Sequence, residues 1–406
     1  MPAMWWRFQR PLYASLGLAL LMLGACQSGA AVLQLEQESF TFAPGLSRTS
    51  SQHVRVHNSS QQPLELSVSS QASWLRPELA KTRLSPNEHL ELNLEVECAA
   101  EQVRDETLLE LRAGTHSRQL RMKRVCEPYD IDLQFAEDAY LSLAARDALT
   151  QAAARWSRLI AGGLPDTKVD KPRGTCGLNE PAFRGEVDDL LIFVDVKPLD
   201  GERGVLGQAG PCLVRGDHTA LPVFGVMVFD AADIMRLESE GRLYSALLHE
   251  MGHVLGIGTY WDVGGHLEYR GRPQGRSCAE TEAFSAPPHF KGQAATRSYR
   301  DMAGRGAPPV EEGHGKGTRC GHWDEAHFGH ELMTGFLGAG ENPLSVLSAA
   351  SLSDIGYSVD LSQVDAYRLP NCAGGCVGAQ SLGSAHADTV LPRARVTEQG
   401  LKPLSP

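Results

Sequence analysis

The sequence predicts a multidomain chain in which an all-β sandwich is followed by an α+β domain. Three observations carry that division. Up to Cys126 the residues alternate apolar and polar in short runs, at Tyr129 the pattern lengthens to helical spacing, and residues 245–256 form an apolar helical stretch that also carries two histidines and a glutamate. A length of 406 residues admits two domains, and 42% hydrophobic with 21% charged residues is ordinary globular composition. The formal charge of -11 disfavours binding to nucleic acid or to anionic lipid surfaces, so no nucleic-acid partner is expected.

The first 26 residues read as an export signal. Arg7 and Arg10 supply the positive region, residues 12–23 are mostly apolar, and Gly24 and Ala25 precede Cys26. The apolar run is too short to span a bilayer comfortably. Leu23-Gly24-Ala25-Cys26 resembles a bacterial lipobox, which implies a signal peptide over residues 1–25 and a lipid-modified Cys26 as the mature N-terminus. Gln27 after that cysteine implies sorting to the outer membrane of a Gram-negative cell. Beyond Cys26 there are eight cysteines, Cys98, Cys126, Cys176, Cys212, Cys278, Cys320, Cys372 and Cys376. An even number in an exported chain predicts disulfides, with sequential pairing as the expectation.

For residues 26–127 the strand signals are Val54-Arg55-Val56, Leu64-Glu65-Leu66-Ser67-Val68 and the run from Leu90 to Val96, separated by turn formers at Asn58-Ser59-Ser60 and Ser85-Pro86-Asn87. Their order, with Ser73-Trp74-Leu75 between them, resembles a bacterial immunoglobulin-like module of the BACON kind. That resemblance implies a spacer, with glycan binding as the weaker expectation.

From residue 128 to 370 an α+β domain is expected. Residues 129–135 and 190–196 read as strands, as do residues 223–229. Ser142 can cap a helix whose face uses Leu149, Ala153, Trp156 and Ile160, and Gly162-Gly163 ends it. Residues 371–406, poor in large apolar side chains, are expected to be a disordered tail.

His249-Glu250-Met251-Gly252-His253 is an H-E-x-x-H pattern in helical context. Residues four apart share a helix face, so both imidazoles can reach one Zn2+ ion while Glu250 stands beside its open position. Neutral imidazoles leave zinc Lewis-acidic, and a carboxylate there can take the proton of an attacking water. Gly256-Ile257-Gly258 stops the helix one turn later, as in metzincin peptidases, but Thr259 occupies the position where most of them carry a third ligand. On spacing alone Asp262, His266, Glu268, His314, His322, His327 and His330 remain available.

Gly321-His322-Trp323 followed by Glu331-Leu332-Met333 resembles the leishmanolysin (invadolysin) family, in which a long insertion precedes the third histidine and a methionine turn comes eleven residues after it. Residues 345–357 resemble that family's closing helix. The resemblance implies a metzincin-type zinc peptidase domain, His322 as third ligand, Met333 as the methionine beneath the metal, and Glu250 as catalytic base. Cys320 is expected to pair with Cys278 and so fix the long insertion. Residues 223–229 are expected to be the edge strand that pairs with extended substrate, and residues 334–343, with Phe336 and Leu337, to line an apolar pocket. Tyr357 is expected in the core rather than at the reacting carbonyl. The function so implied is a zinc metalloendopeptidase acting on proteins or peptides outside the cytoplasm. Its alternatives are an adhesion lipoprotein with a structural metal domain and a zinc amidase acting on cell-wall material.

Overall fold

The computed structural model describes residues 33–44, 48–99, 102–202, 204–216, 219–270, 277–281, 284–315, 317–338, 340–370, 388–397 and 399–404. The expected signal peptide, Cys26, Cys372 and Cys376 lie outside them.

Among the described residues the first unit has nine strands: β1 (Leu33–Leu35), β2 (Ser39–Phe42), β3 (Thr49–Asn58), β4 (Leu64–Ser70), β5 (Leu75–Leu79), β6 (Arg83–Leu84), β7 (His89–Glu97), β8 (Val103–Ala113) and β9 (His116–Cys126). They make two sheets, β1-β3-β7-β5 and β2-β9-β8-β4-β6. Alternation is the cause. On β7, Leu90, Leu92, Leu94 and Val96 are buried while His89, Glu91 and Glu97 are exposed. The buried set shares one core with Leu109, Leu111, Leu120 and Met122 of the other sheet. A disulfide between Cys98, just past β7, and Cys126, at the end of β9, joins the two sheets.

The second unit begins with β10 (Ile131–Phe135) and α1 (Leu143–Leu159), the helix capped by Ser142, whose side chain accepts from Ala145 N. There follow β11 (Thr167–Lys171), β12 (Phe183–Val187), β13 (Leu190–Lys197), β14 (Gly207–Val214), β15 (Pro222–Asp230), α2 (Ala231–Ser239) and α3 (Leu243–Leu255). After α3 come β16 (Leu267–Arg270), β17 (Ala286–Phe290), α4 (Gln293–Asp301), α5 (Glu325–Phe328) and α6 (Val346–Ile355). The chain ends in β18 (Asp388–Thr389), β19 (Ala394–Thr397) and β20 (Gly400–Pro403). The central sheet runs β10-β13-β15-β14-β19-β20, with β18 also beside β14. Strands β10, β13 and β15 are parallel and β14 is antiparallel to β15. Leu149 and Trp156 of α1 and Leu247, Met251 and Val254 of α3 share a core with Ile192, Val194 and Met227 of the sheet. This packing fixes the helix that carries the H-E-x-x-H residues.

Ion pairs tie the two units together. The Arg104 guanidinium on β8 donates to Glu127 at 2.6 and 2.7 Å and to Asp188 at 2.7 Å, and it also pairs with Asp166. Arg48 pairs with Asp360 at 2.7 Å.

Two expectations are corrected. Residues 223–229 are not an edge strand, because β15 lies between β13 and β14 and is buried along its whole length. Its nearly unbroken apolar run is the signature of a strand covered on both faces. The tail over residues 371–406 is not disordered throughout. β18 and β19 pair with β14 in parallel, and Val390, Ala394 and Val396 are buried against Cys212, Leu213, Val223 and Phe224. The outer edge of β14 needs backbone partners and its apolar face needs cover, and these residues supply both.

Candidate metal centre

Helix α3 ends at Gly256, whose φ of 113° is the left-handed cap conformation, and the backbone then turns away from the helix axis. Thr259 Oγ1 donates to the His253 carbonyl at 2.6 Å, so the residue at the usual third-ligand position helps close the helix end. Gly258 has φ +75°, and a Cβ there would collide with the carbonyl oxygen of Gly321. Absence of a side chain at Gly258 therefore lets the segment preceding His322 lie directly against the end of α3. The Cys278–Cys320 disulfide holds the same segment from the other side, and Cys278 N donates to Asp262 at 2.7 Å.

His249, His253 and His322 converge. Their Nε2 atoms stand 3.0 Å (His253 to His249), 3.0 Å (His253 to His322) and 3.2 Å (His249 to His322) apart, and each residue is no more than 1% exposed. Each Nδ1 faces a backbone carbonyl: Leu332 O at 2.6 Å, Ile257 O at 2.9 Å and Thr318 O at 2.9 Å respectively. A carbonyl only accepts, so each Nδ1 carries the ring proton and each neutral ring turns a bare Nε2 lone pair inward. Three lone pairs at these separations repel one another, and a cation among them removes the conflict. Nitrogens ~2.0–2.1 Å from a tetrahedral zinc stand about 3.3–3.4 Å apart, within a few tenths of an ångström of this triangle. Burial pushes the His253 pKa down to about 4, against the pull of the Ile257 carbonyl, and so favours the neutral form that a ligand needs. The donor set fits zinc, and three protein ligands leave a fourth position open, as catalytic sites require. Glu250, next to His249 on α3, is 1% exposed.

Met333 lies against α3 at Gly252. A Cβ on Gly252 would meet its sulfur at 2.8 Å, so the glycine between the two helical histidines makes room for the thioether. Trp323, next to His322, donates its backbone N–H to the Met333 carbonyl at 3.0 Å and its Nε1–H to Ser348 Oγ at 2.8 Å.

The other candidates for third ligand are engaged elsewhere. Asp262 accepts from Tyr269 and from Cys278 N, and His266 stacks on Phe290. His327 bonds to the Tyr299 hydroxyl at 2.6 Å, His314 faces Glu311 at 3.3 Å, and Glu268 and His330 are exposed. Tyr357 is buried edge-on to Tyr129, in the core. Past the methionine turn, the Phe336 ring meets His314 at 4.8 Å and its N–H donates to Glu325 at 3.1 Å. Burial pushes the Glu325 carboxyl up to about 7. Sequence reasoning missed Glu325 as a support of this loop and Glu331 as the centre of a buried network with Ser345 and Ser348. A signal for the latter existed in two serines three apart at the start of α6, downstream of an acidic residue beside Leu332-Met333.

Residues 180–377, 198 of the 406, match the model of the peptidase family described as Leishmanolysin. No curated protein matches the chain. Among solved structures, a protein of unknown function from Porphyromonas gingivalis W83 is 16% identical over 23% of this chain and 46% of that one, with a TM-score of 0.21. The PapD-like domain 7 of human CEP192 is 10% identical over 29% of this chain and 97% of that one, with a TM-score of 0.22. The VesB protease of Vibrio cholerae is 14% identical over 23% and 32%, with a TM-score of 0.19. Likenesses so slight support nothing about fold or activity, and this chain spans less than half of the first of these proteins.

Proposed function

We propose, from the leishmanolysin-like zinc metalloprotease domain that residues 180–377 give this chain, that the protein is a zinc metalloendopeptidase acting on proteins outside the cytoplasm. In this reading His249, His253 and His322 hold one zinc ion, Met333 packs beneath it, and the domain is metzincin-type. The observation that carries it is the inward triangle of three Nε2 atoms, each ring fixed in one tautomer by a carbonyl behind it. Zinc, when bound there, supplies a Lewis acid that polarises the scissile carbonyl.

Glu250 is the base. Its carboxylate takes a proton from the attacking water as the new C–O bond forms, then delivers that proton to the amine nitrogen as the C–N bond breaks. Glutamine at this position keeps the shape and loses the proton transfer. Burial of the site keeps bulk water from competing for these groups.

Three disulfides, Cys98–Cys126, Cys176–Cys212 and Cys278–Cys320, suit an oxidising compartment. With the lipobox-like residues 23–26 they support export and a lipid anchor at Cys26, in the outer membrane of a Gram-negative cell. The N-terminal sandwich, immunoglobulin-like in this reading, acts as a spacer, with glycan binding a subordinate role.

The test is cleavage of casein by the purified protein and by Glu250→Gln at equal zinc content, with peptidoglycan as a parallel substrate. Casein cleavage that falls ~100- to 10,000-fold in the variant supports the reading. Equal activity in the two proteins, or turnover of peptidoglycan alone, overturns it.

A further inference from the structure

His249 differs from the other two imidazoles in what stands behind its ring proton. Its bond to Leu332 O is 2.6 Å long, against 2.9 Å for each of the other two. The peptide group that carries the Leu332 carbonyl also carries the Met333 N–H, which donates to Glu331 Oε2 at 2.6 Å. Behind the Thr318 carbonyl, the equivalent N–H, that of Arg319, donates to a neutral acceptor, Gly315 O, at 2.8 Å.

Glu331 is wholly buried. Its Oε1 accepts from Ser345 N at 3.1 Å, Ser345 Oγ at 2.7 Å and Ser348 Oγ at 2.6 Å. Burial raises the Glu331 pKa, and the hydrogen bonds from Ser348, Ser345 and Met333 oppose that rise. Each carboxylate oxygen faces one backbone N–H, a group that can only donate, and this donor set favours the ionised form. Ser345 is also the N-cap of α6, so the positive end of that helix faces the carboxylate.

We infer that Glu331 is a positioning residue for the metal centre that acts on His249 through the peptide between Leu332 and Met333. Its charge polarises that peptide, the Leu332 carbonyl becomes a stronger acceptor, and His249 becomes the most strongly donating of the three imidazoles. A carboxylate that bonds directly to a ligating histidine has this effect on the ligand's basicity, and here one peptide group is interposed. The same carboxylate reaches the neighbour of His322, since Ser348 Oγ donates to Glu331 and accepts from Trp323 Nε1. The inference rests on the reading of His249 as a zinc ligand.

Proton NMR of the zinc-loaded, histidine-labelled protein reads the three Nδ1–H resonances directly. The His249 proton is expected furthest downfield, and in Glu331→Gln it moves upfield by more than those of His253 and His322. Zinc affinity, measured by chelator competition, falls ~10- to 100-fold in the same variant. Ser348→Ala keeps the charge and the Met333 contact, so it lowers the melting temperature and leaves the His249 resonance in place. A purely structural Glu331 would give the opposite pattern, with both variants melting earlier and neither moving that resonance. A wild-type His249 proton indistinguishable from the other two overturns the inference without recourse to any variant. Failure of the wild-type protein to hold zinc would instead sink the metal centre, and the inference with it.

Discussion

Gly258 is where the third imidazole's segment touches the end of α3, and Gly258→Ala perturbs that contact with one carbon atom. The new Cβ adds two costs. Holding alanine at φ +75° costs about 1–2 kcal/mol, and displacing the Gly321 backbone from the space the methyl needs adds about 1–3 kcal/mol. Gly265 supplies the control, because its φ is +72° and nothing lies within 4 Å of its notional Cβ. Gly265→Ala therefore pays only the first cost. At about 2–4 °C per kcal/mol for a unit of about 150–250 residues, the melting temperature of the second unit is expected to fall by about 4–20 °C in Gly258→Ala and about 2–8 °C in Gly265→Ala. The discriminating assay is zinc affinity by chelator competition, since the displaced Gly321 immediately precedes His322. Gly258→Ala is expected to bind zinc at least ~10-fold more weakly, comparable to the loss of a supporting contact behind a ligand, and Gly265→Ala to bind it normally. Equal affinity in the two variants would refute the claim that this close approach sets the third imidazole.

Arg104→Ala removes the guanidinium shared by Glu127, Asp166 and Asp188 and leaves carboxylates from both units facing one another; a loss of about 1–2 kcal/mol, shrinking as salt is raised, is expected from guanidine-free urea unfolding at low and high ionic strength. Asp189 accepts from Asp130 N and Leu164 N at the same junction, and burial pushes its carboxyl up to about 7. The folded state thus holds a proton that the unfolded state has released, so this group's contribution to stability is lost as pH rises from about 4 to about 7. Asp189→Asn is expected to flatten that part of the curve of urea midpoint against pH, and an unchanged slope would count against the shift.

What was legible in the sequence depended on how local the determining contacts are. Two of the three converging imidazoles follow from i, i+4 spacing on one helix, and the sandwich follows from alternation along single strands. The pairings Cys98–Cys126, Cys176–Cys212 and Cys278–Cys320 agree with the sequential expectation because each bridge closes a segment within one unit. His322 lies sixty-six residues beyond Gly256, and family resemblance rather than spacing singled it out. The interior place of β15 was readable in its unbroken apolar run, but an edge strand was expected there because the resemblance implied a substrate-pairing edge strand just before the helix with the two histidines. β18 and β19 escaped notice because a two- to four-residue strand has almost no pattern of its own and takes its structure from a neighbour such as Leu213, which pairs with Ala394. The Glu331 network joins a turn, a helix start and an indole through side chains whose sequence order says nothing about their meeting.

That late pairing has a bearing on how the molecule is made. β14 gains its partners on that side only when residues 388–403 have been synthesised, so a nascent chain carries β14 with one side unclaimed from residue 214 to residue 388. Contacts so distant in sequence form slowly, and an unclaimed apolar strand invites neighbours from other chains. A polypeptide cut after residue 370 keeps every histidine of the triangle and is nonetheless expected to clump as it folds.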